Sequence, residues 1–179
     1  MQITQAEKAL RFQSLHQREG VLLIANPWDA GSARILSALG FEALATSSFA
    51  MAGTHGRRDG GITREQALAH AASIVNATDL PVSADLENGF ADSPAAIAET
   101  IRLAAQAGLA GCSIEDHTGK KDQPLHEIAF AAERIAAAAE AAHALPFPFT
   151  LTARAENFFR GKPDLDDTIA RLAAYEKAG

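Results

Sequence analysis

Short apolar runs alternate along the chain with longer, alanine-rich stretches whose apolar positions recur at helical spacing. Five runs predict strands: residues 21–25, 43–46, 81–84, 111–114 and 149–153. Each is followed by polar residues, which is how a parallel strand buried on both faces reads. The stretches between them carry helix start and stop signals. Residues 4–19 open with Thr4 three positions before Glu7, a capping box, and stop at Gly20. Residues 30–39 stop at Gly40, and Thr63 with Gln66 opens a helix reaching about residue 77. Ser93 followed by Pro94 sets an N-cap and a first helical proline for a helix ending at Gly108. Two further helices are predicted, over 125–144 and from Asp164 to the chain end.

Gly40 and Gly108 each end a helix and lead directly into a strand, so the chain iterates βα units and predicts a parallel sheet covered by helices. Strand starts roughly 22 to 38 residues apart fit the (β/α)8 barrel, which takes about 250 residues in all. Five units make part of one, and an open part leaves two unpaired edges. The expectation is therefore a single domain over residues 1–179. It is an α/β, (β/α)8 TIM-type barrel of which this chain supplies the first five βα units, with three strands missing. A five-stranded doubly wound sheet is the alternative.

Composition narrows the function classes. Apolar residues make up 47% of the 179 positions and charged residues 21%, an ordinary globular balance. The net charge of −6 comes with no basic cluster beyond Arg57-Arg58 and Lys120-Lys121, which argues against nucleic-acid or anionic-membrane binding. The single cysteine, Cys112, excludes an internal disulfide framework and reads as core packing. No apolar run approaches a membrane span and no leader pattern opens the chain, so a soluble, cytoplasmic protein is expected.

In parallel α/β folds ligands bind at the carboxyl ends of the strands. Asp85 and Glu87 follow the third strand and Glu115 the fourth, on backbones about 5 Å apart. Three like charges so close call for a neutralising partner. A hard divalent cation such as Mg²⁺, or Mn²⁺ in its place, takes one or two carboxylates plus waters and substrate oxygens. Singly, each acid reads equally well as a solvated loop residue or a helix cap. Arg154 directly follows the fifth strand, where a guanidinium suits bidentate grip of a carboxylate, phosphonate or phosphate. The alternative for Arg154 is an ion pair with Glu156 or Glu115. Ser47 and Ser48 end the second strand and offer hydroxyls and N–H groups to an oxyanion, though serines also end strands for turn reasons. Asp59 lies in the glycine-rich loop 55–61, and Lys121 in a polar loop after the fourth strand that reads as a mobile lid or a solvated loop. No lysine ends a strand, which argues against Schiff-base chemistry.

These residues, taken in order, resemble the isocitrate lyase/phosphoenolpyruvate mutase superfamily. Residues 26–33 (Asn-Pro-Trp-Asp-Ala-Gly-Ser-Ala) resemble its opening strand-to-helix segment, and 46–48 (Thr-Ser-Ser) its oxyanion-binding strand end. Residues 56–60 (Gly-Arg-Arg-Asp-Gly) are similar to its mobile aspartate loop, and 83–90 (Ser-Ala-Asp-Leu-Glu-Asn-Gly-Phe) to its metal-site motif. Residues 113–116 (Ser-Ile-Glu-Asp) are similar to the next acidic strand end, and 153–161 look most like the mutase branch.

The resemblance implies an oligomeric (β/α)8 barrel that uses Mg²⁺ to stabilise a pyruvate enolate. Carried over, it makes Asp85 the direct metal ligand, with Glu87 and Glu115 holding metal-bound waters. Ser48, with Ser47 beside it and the Phe49 backbone, binds the enolate oxygen and carboxylate. Arg154 grips the anionic group, Asp59 lies near the reacting centre and Lys121 belongs to the gate. Two departures stand out. The loop 117–123 (His-Thr-Gly-Lys-Lys-Asp-Gln) lacks the cysteine of the lyases' Lys-Lys/Arg-Cys-Gly-His loop, and Glu87 stands where aspartate is more common. The expected function is a Mg²⁺-dependent enzyme acting on a small anionic 2-oxo acid or its precursor, making or breaking a P–C or C–C bond. A catalytically inactive barrel fragment serving as an interaction protein is the alternative.

Overall fold

The computed structural model describes residues 3–179. Helix α1 (Gln5–Gln17) is followed by α2 (Ala30–Ala38), strand β1 (Leu44–Ala45), α3 (Ser48–Thr54) and α4 (Arg64–Val75). Then come β2 (Val82–Asp85), α5 (Pro94–Gln106), β3 (Gly111–Glu115), α6 (Ile128–His143), β4 (Thr150–Arg154) and α7 (Leu165–Ala178). The four strands lie in sequence order and all pair in parallel. This is an α/β arc of the (β/α)8 type, and β4 has a partner on one side only among the described residues.

The caps form as the sequence predicts. Thr4 and Thr63 each make a reciprocal capping box, with Glu7 and Gln66, and Ser93 caps α5 with Pro94 in its first turn. Two predictions need correcting. Residues 21–25 are not a strand: only Ala25 reaches the sheet, as a single bridge to Leu44, while Val21 and Leu23 are exposed. Apolar residues without a paired neighbour do not make a ladder. Ser48, read as the end of the second strand, instead opens the short helix α3, capped by the Ser47 hydroxyl on Ala50 N–H at 3.3 Å.

Alternation along the strands sorts the side chains. Val82, Ala84, Cys112 and Ile114 are buried against the helices, in one cluster with Ile97, Ile101, Ile135 and Ala138. Cys112 is core, as expected, and burial pushes its thiol up. Ser83, Ser113 and Thr152 line the opposite, concave face together with Phe12 and Ile24. That face carries Asp85 and Arg154 at its carboxyl end. Among the described residues no helix is long and apolar enough to cross a membrane.

Candidate active site

A cleft of about 780 Å³ opens at the carboxyl ends of β1 to β4. It is lined by Ser47, Ser48, Phe49, Asp59, Asp85, Glu87, Glu115, His117, Arg154, Glu156 and Arg160, among others. Sheet register builds it, since Glu115 pairs directly with Arg154 while Asp85 pairs with Ser113 one strand over.

Asp85 is the best-oriented acid. Its Oδ2 accepts from Ser48 N–H at 2.9 Å and Ser48 Oγ–H at 2.7 Å, and its Oδ1 from Glu87 N–H at 3.1 Å. The backbone N–H of Asp85 donates to Thr46 Oγ1 at 3.1 Å. The two serines are thus already engaged, Ser48 on Asp85 and Ser47 as the cap of α3.

Glu87 sits in the left-handed backbone region at φ 48, and Phe90 at φ 55, an uncommon conformation for side-chain-bearing residues that concentrates at functional sites. Gly89 between them, at φ 78, has no room for a Cβ, which would meet Ile97 Cδ1. Burial first, then the charges of Asp59 and Asp85, push the Glu87 carboxyl up to about 7. Its Oε1 is buried and finds no donor. An orphaned oxygen facing two other acids is an arrangement a cation relieves. Among the described residues no three ligating side chains converge on one point. Acids that ring a cleft in this way suit Mg²⁺, which keeps several waters and takes one or two carboxylates directly. The donor set therefore fits a hard divalent cation at Asp85, with Glu87 and Glu115 around it.

Arg154 crosses the cleft between two carboxylates, Nη1 at 2.8 Å from Glu115 and Nη2 at 2.7 Å from Glu156. Both ion pairs offered as alternatives by the sequence are present. Arg160 reaches the same pair, 3.9 Å from Glu115 and 3.6 Å from Glu156, and His117 Nε2 lies 3.3 Å from Glu115. Burial and the neighbouring Glu115 raise the Glu156 carboxyl, while Arg154 and Arg160 oppose them.

Asp59 lines the cleft and faces Glu87. Lys121 does not line it. It borders an adjoining cavity of about 300 Å³ with Lys120 and Pro124, which shares Gly119, Phe159 and Arg160 with the cleft. Sequence reasoning gave no site role to His117 or Arg160 and treated Glu156 only as an ion-pair partner. The available signal was position, since all three follow a strand end within six residues.

The profile of a family described as phosphoenolpyruvate phosphomutase matches residues 12–179. The chain belongs to this family. Within the wider isocitrate lyase/phosphoenolpyruvate mutase superfamily, it is similar to a crystal structure from Burkholderia cenocepacia J2315 provisionally described as a lyase/mutase. That structure is 59% identical with a TM-score of 0.97, over 98% of this chain and 63% of the other. The 2-methylisocitrate lyase of Bacillus subtilis (strain 168) is 31% identical over 99% of this chain and 59% of its own length. A phosphonopyruvate hydrolase solved with oxalate and Mg²⁺ is 26% identical with a TM-score of 0.86, over 98% of this chain and 60% of the other. The family member described here thus spans less than two thirds of these relatives, whose named activities are those of lyases, mutases and hydrolases.

Proposed function

We propose that this chain carries the cation and anion site of an enzyme acting on a small 2-oxo acid or its precursor, making or breaking a P–C or C–C bond. The observation that carries the reading is the buried, partnerless Oε1 of Glu87, a carboxyl that feels the charges of Asp59 and Asp85 and shares one cleft with the Arg154 guanidinium. Asp85 would hold Mg²⁺ directly, its carboxylate oriented by the two donors of Ser48 and by Glu87 N–H. Glu87 and Glu115 would hold the waters around it. A bound Mg²⁺ supplies Lewis-acid stabilisation of negative charge on a substrate oxygen.

The chain's own residues divide the remaining work. Arg154 binds the anionic group through its planar fork. Phe49 and Ile62 supply apolar lining to the cleft. Asp59, which lines the cleft and whose charge acts on Glu87, would accept or return a proton at the reacting carbon. Lys121 acts from the 117–124 loop, which must close over the cleft before its amine enters. The absence of cysteine from that loop favours a reaction that needs no thiol acid.

The test is thermal unfolding with Mg²⁺, with oxalate, and with both, oxalate being a planar mimic of a pyruvate enolate. At a hundredfold over Kd, binding adds about 2.7 kcal/mol, a rise in Tm of roughly 5 to 11 °C at this size. The full rise is expected only with both ligands, and a smaller one with Mg²⁺ alone. A cooperative transition that neither ligand nor their combination moves would remove the reading.

A further inference from the structure

The two carboxylates on Arg154 lie on different sides of it, although both backbones are fixed. The Glu115 N–H donates to Glu87 O at 2.8 Å and its carbonyl accepts from Arg134 Nη1 at 3.3 Å, while Glu156 is held from behind. Its N–H donates to Asp116 Oδ1 at 2.9 Å, and Asp116 Oδ2 accepts from Tyr175 OH at 2.6 Å and Arg171 Nη1 at 3.1 Å, both on α7. Asp116 is itself almost fully buried, so this support is shielded from water. Glu115 instead ends β3 on the acid-lined side of the cleft, where its charge is felt at Glu87 beside those of Asp59 and Asp85. Its remaining contacts, with His117 at 3.3 Å and Arg160 at 3.9 Å, are looser than its contact with Arg154.

Each acid uses a different nitrogen of the guanidinium, Nη1 for Glu115 and Nη2 for Glu156. With both in place each terminal nitrogen already carries a carboxylate, and an incoming anion meets two negative charges beside the donors it needs. A divalent cation among the acids competes with Arg154 for Glu115 and not for Glu156, whose charge is not among those felt at Glu87.

We propose that Glu115 is an exchangeable partner of Arg154. It pairs with Nη1 in the cation-free protein and turns to the cation when one binds, so that the substrate's carboxylate or phosphonate takes the vacated nitrogen. Glu156 is the positioning residue that keeps Arg154 in place throughout. Binding is then ordered, cation before anion, and the two ligands reinforce each other beyond what direct chelation gives. The inference rests on the reading of the cleft as a cation and anion site.

Calorimetric titration of oxalate, without metal and with Mg²⁺, tests both parts. In metal-free buffer Glu115→Gln is expected to bind oxalate about tenfold more tightly than the unmodified chain, some 1.4 kcal/mol, because a neutral amide no longer competes with an anion. Asp59→Asn removes a charge from the same cleft without touching Arg154 and is expected to gain less than about threefold. Glu156→Gln is expected to weaken oxalate about tenfold in the presence of Mg²⁺ and to leave the affinity for Mg²⁺ alone unchanged, a split that a general loss of structure would not produce. Should Glu115→Gln fail to fold, Glu115→Asp serves: it keeps the charge but withdraws the carboxylate from Arg154, and is expected to show a smaller metal-free gain that still exceeds that of Asp59→Asn. Equal gains in the Glu115 and Asp59 variants would reduce the effect to charge removal and overturn the exchange. A Glu156→Gln protein that binds Mg²⁺ and oxalate normally would overturn the positioning role. If the unmodified chain binds no oxalate even with Mg²⁺, it is the cation and anion reading that fails.

Discussion

Glu87 concentrates the cost of this site in one residue. Its backbone is left-handed, its carboxyl is buried, and the acids facing it oppose its ionisation. Because its folded pKa, about 7, lies above the ordinary 4.5, the folded protein bears no penalty below the unfolded value and loses stability as pH rises from about 4.5 through 7. Glu87→Gln should therefore leave Tm almost unchanged at and below pH 4.5, raise it progressively between about pH 4.5 and 7, and level off above that in metal-free protein. Allowing for water in the open cleft, the gain at pH 8 is about 1 to 2 kcal/mol, roughly 2 to 8 °C. Melting curves at pH 4.5, 6, 7 and 8 check it, and a gain equal at all four would exclude the ionisation as its cause. Such residues were legible in sequence because an acid directly after an apolar run must emerge at the sheet rim. The partners were not: that Ser48 spends its hydroxyl on Asp85, or that Arg154 is doubly paired, depends on distances across strands that no local pattern encodes.

At the scale of elements, the acidic loop after β2 is held by a helix that does not contain it. Arg134 of α6 is 1% exposed and donates to the carbonyls of Asn88, of Ala91 at 3.1 Å and of Glu115 at 3.3 Å. It has no carboxylate in direct contact among the described residues, and burial lowers its pKa. A buried cation spent on three carbonyls ties the 87–91 loop to the end of β3 and fixes the spacing of Glu87 and Glu115. Arg134→Met, of similar length and uncharged, strands those carbonyls and should destabilise the protein by about 2 to 4 kcal/mol, read from urea unfolding; an unchanged midpoint would mean the loop holds itself. Nothing in the sequence marks Arg134, which interrupts an alanine-rich helix as any solvent-facing residue would. The same blindness explains α3, whose seven residues are too few to display a period, and residues 21–25, whose apolar pattern cannot say whether a neighbour is there to pair with.

Across the whole molecule, stability and chemistry sit at opposite ends of one sheet. At the amino-terminal end α1 lays Ala9, Phe12 and Leu15 over Ala43 and Ala110. Gly111 starts β3 there with no space for a Cβ, its approach blocked by Thr150 O and by Phe12 at 3.1 Å. Phe12→Ala should cost about 3 to 5 kcal/mol while leaving Mg²⁺-dependent oxalate affinity intact in the protein that remains folded, as paired melting and titration would register. The order of βα units made this architecture legible, since glycine-ended helices feeding apolar runs admit few other topologies. What the order could not convey is how α7 reaches back. Through Tyr175 and Arg171 it holds Asp116, and through Asp116 the backbone of Glu156. Local opening of α7 and slackening of the anion-gripping arm are consequently coupled, so the lifetime of the competent cleft is inherited from a helix that does not line it.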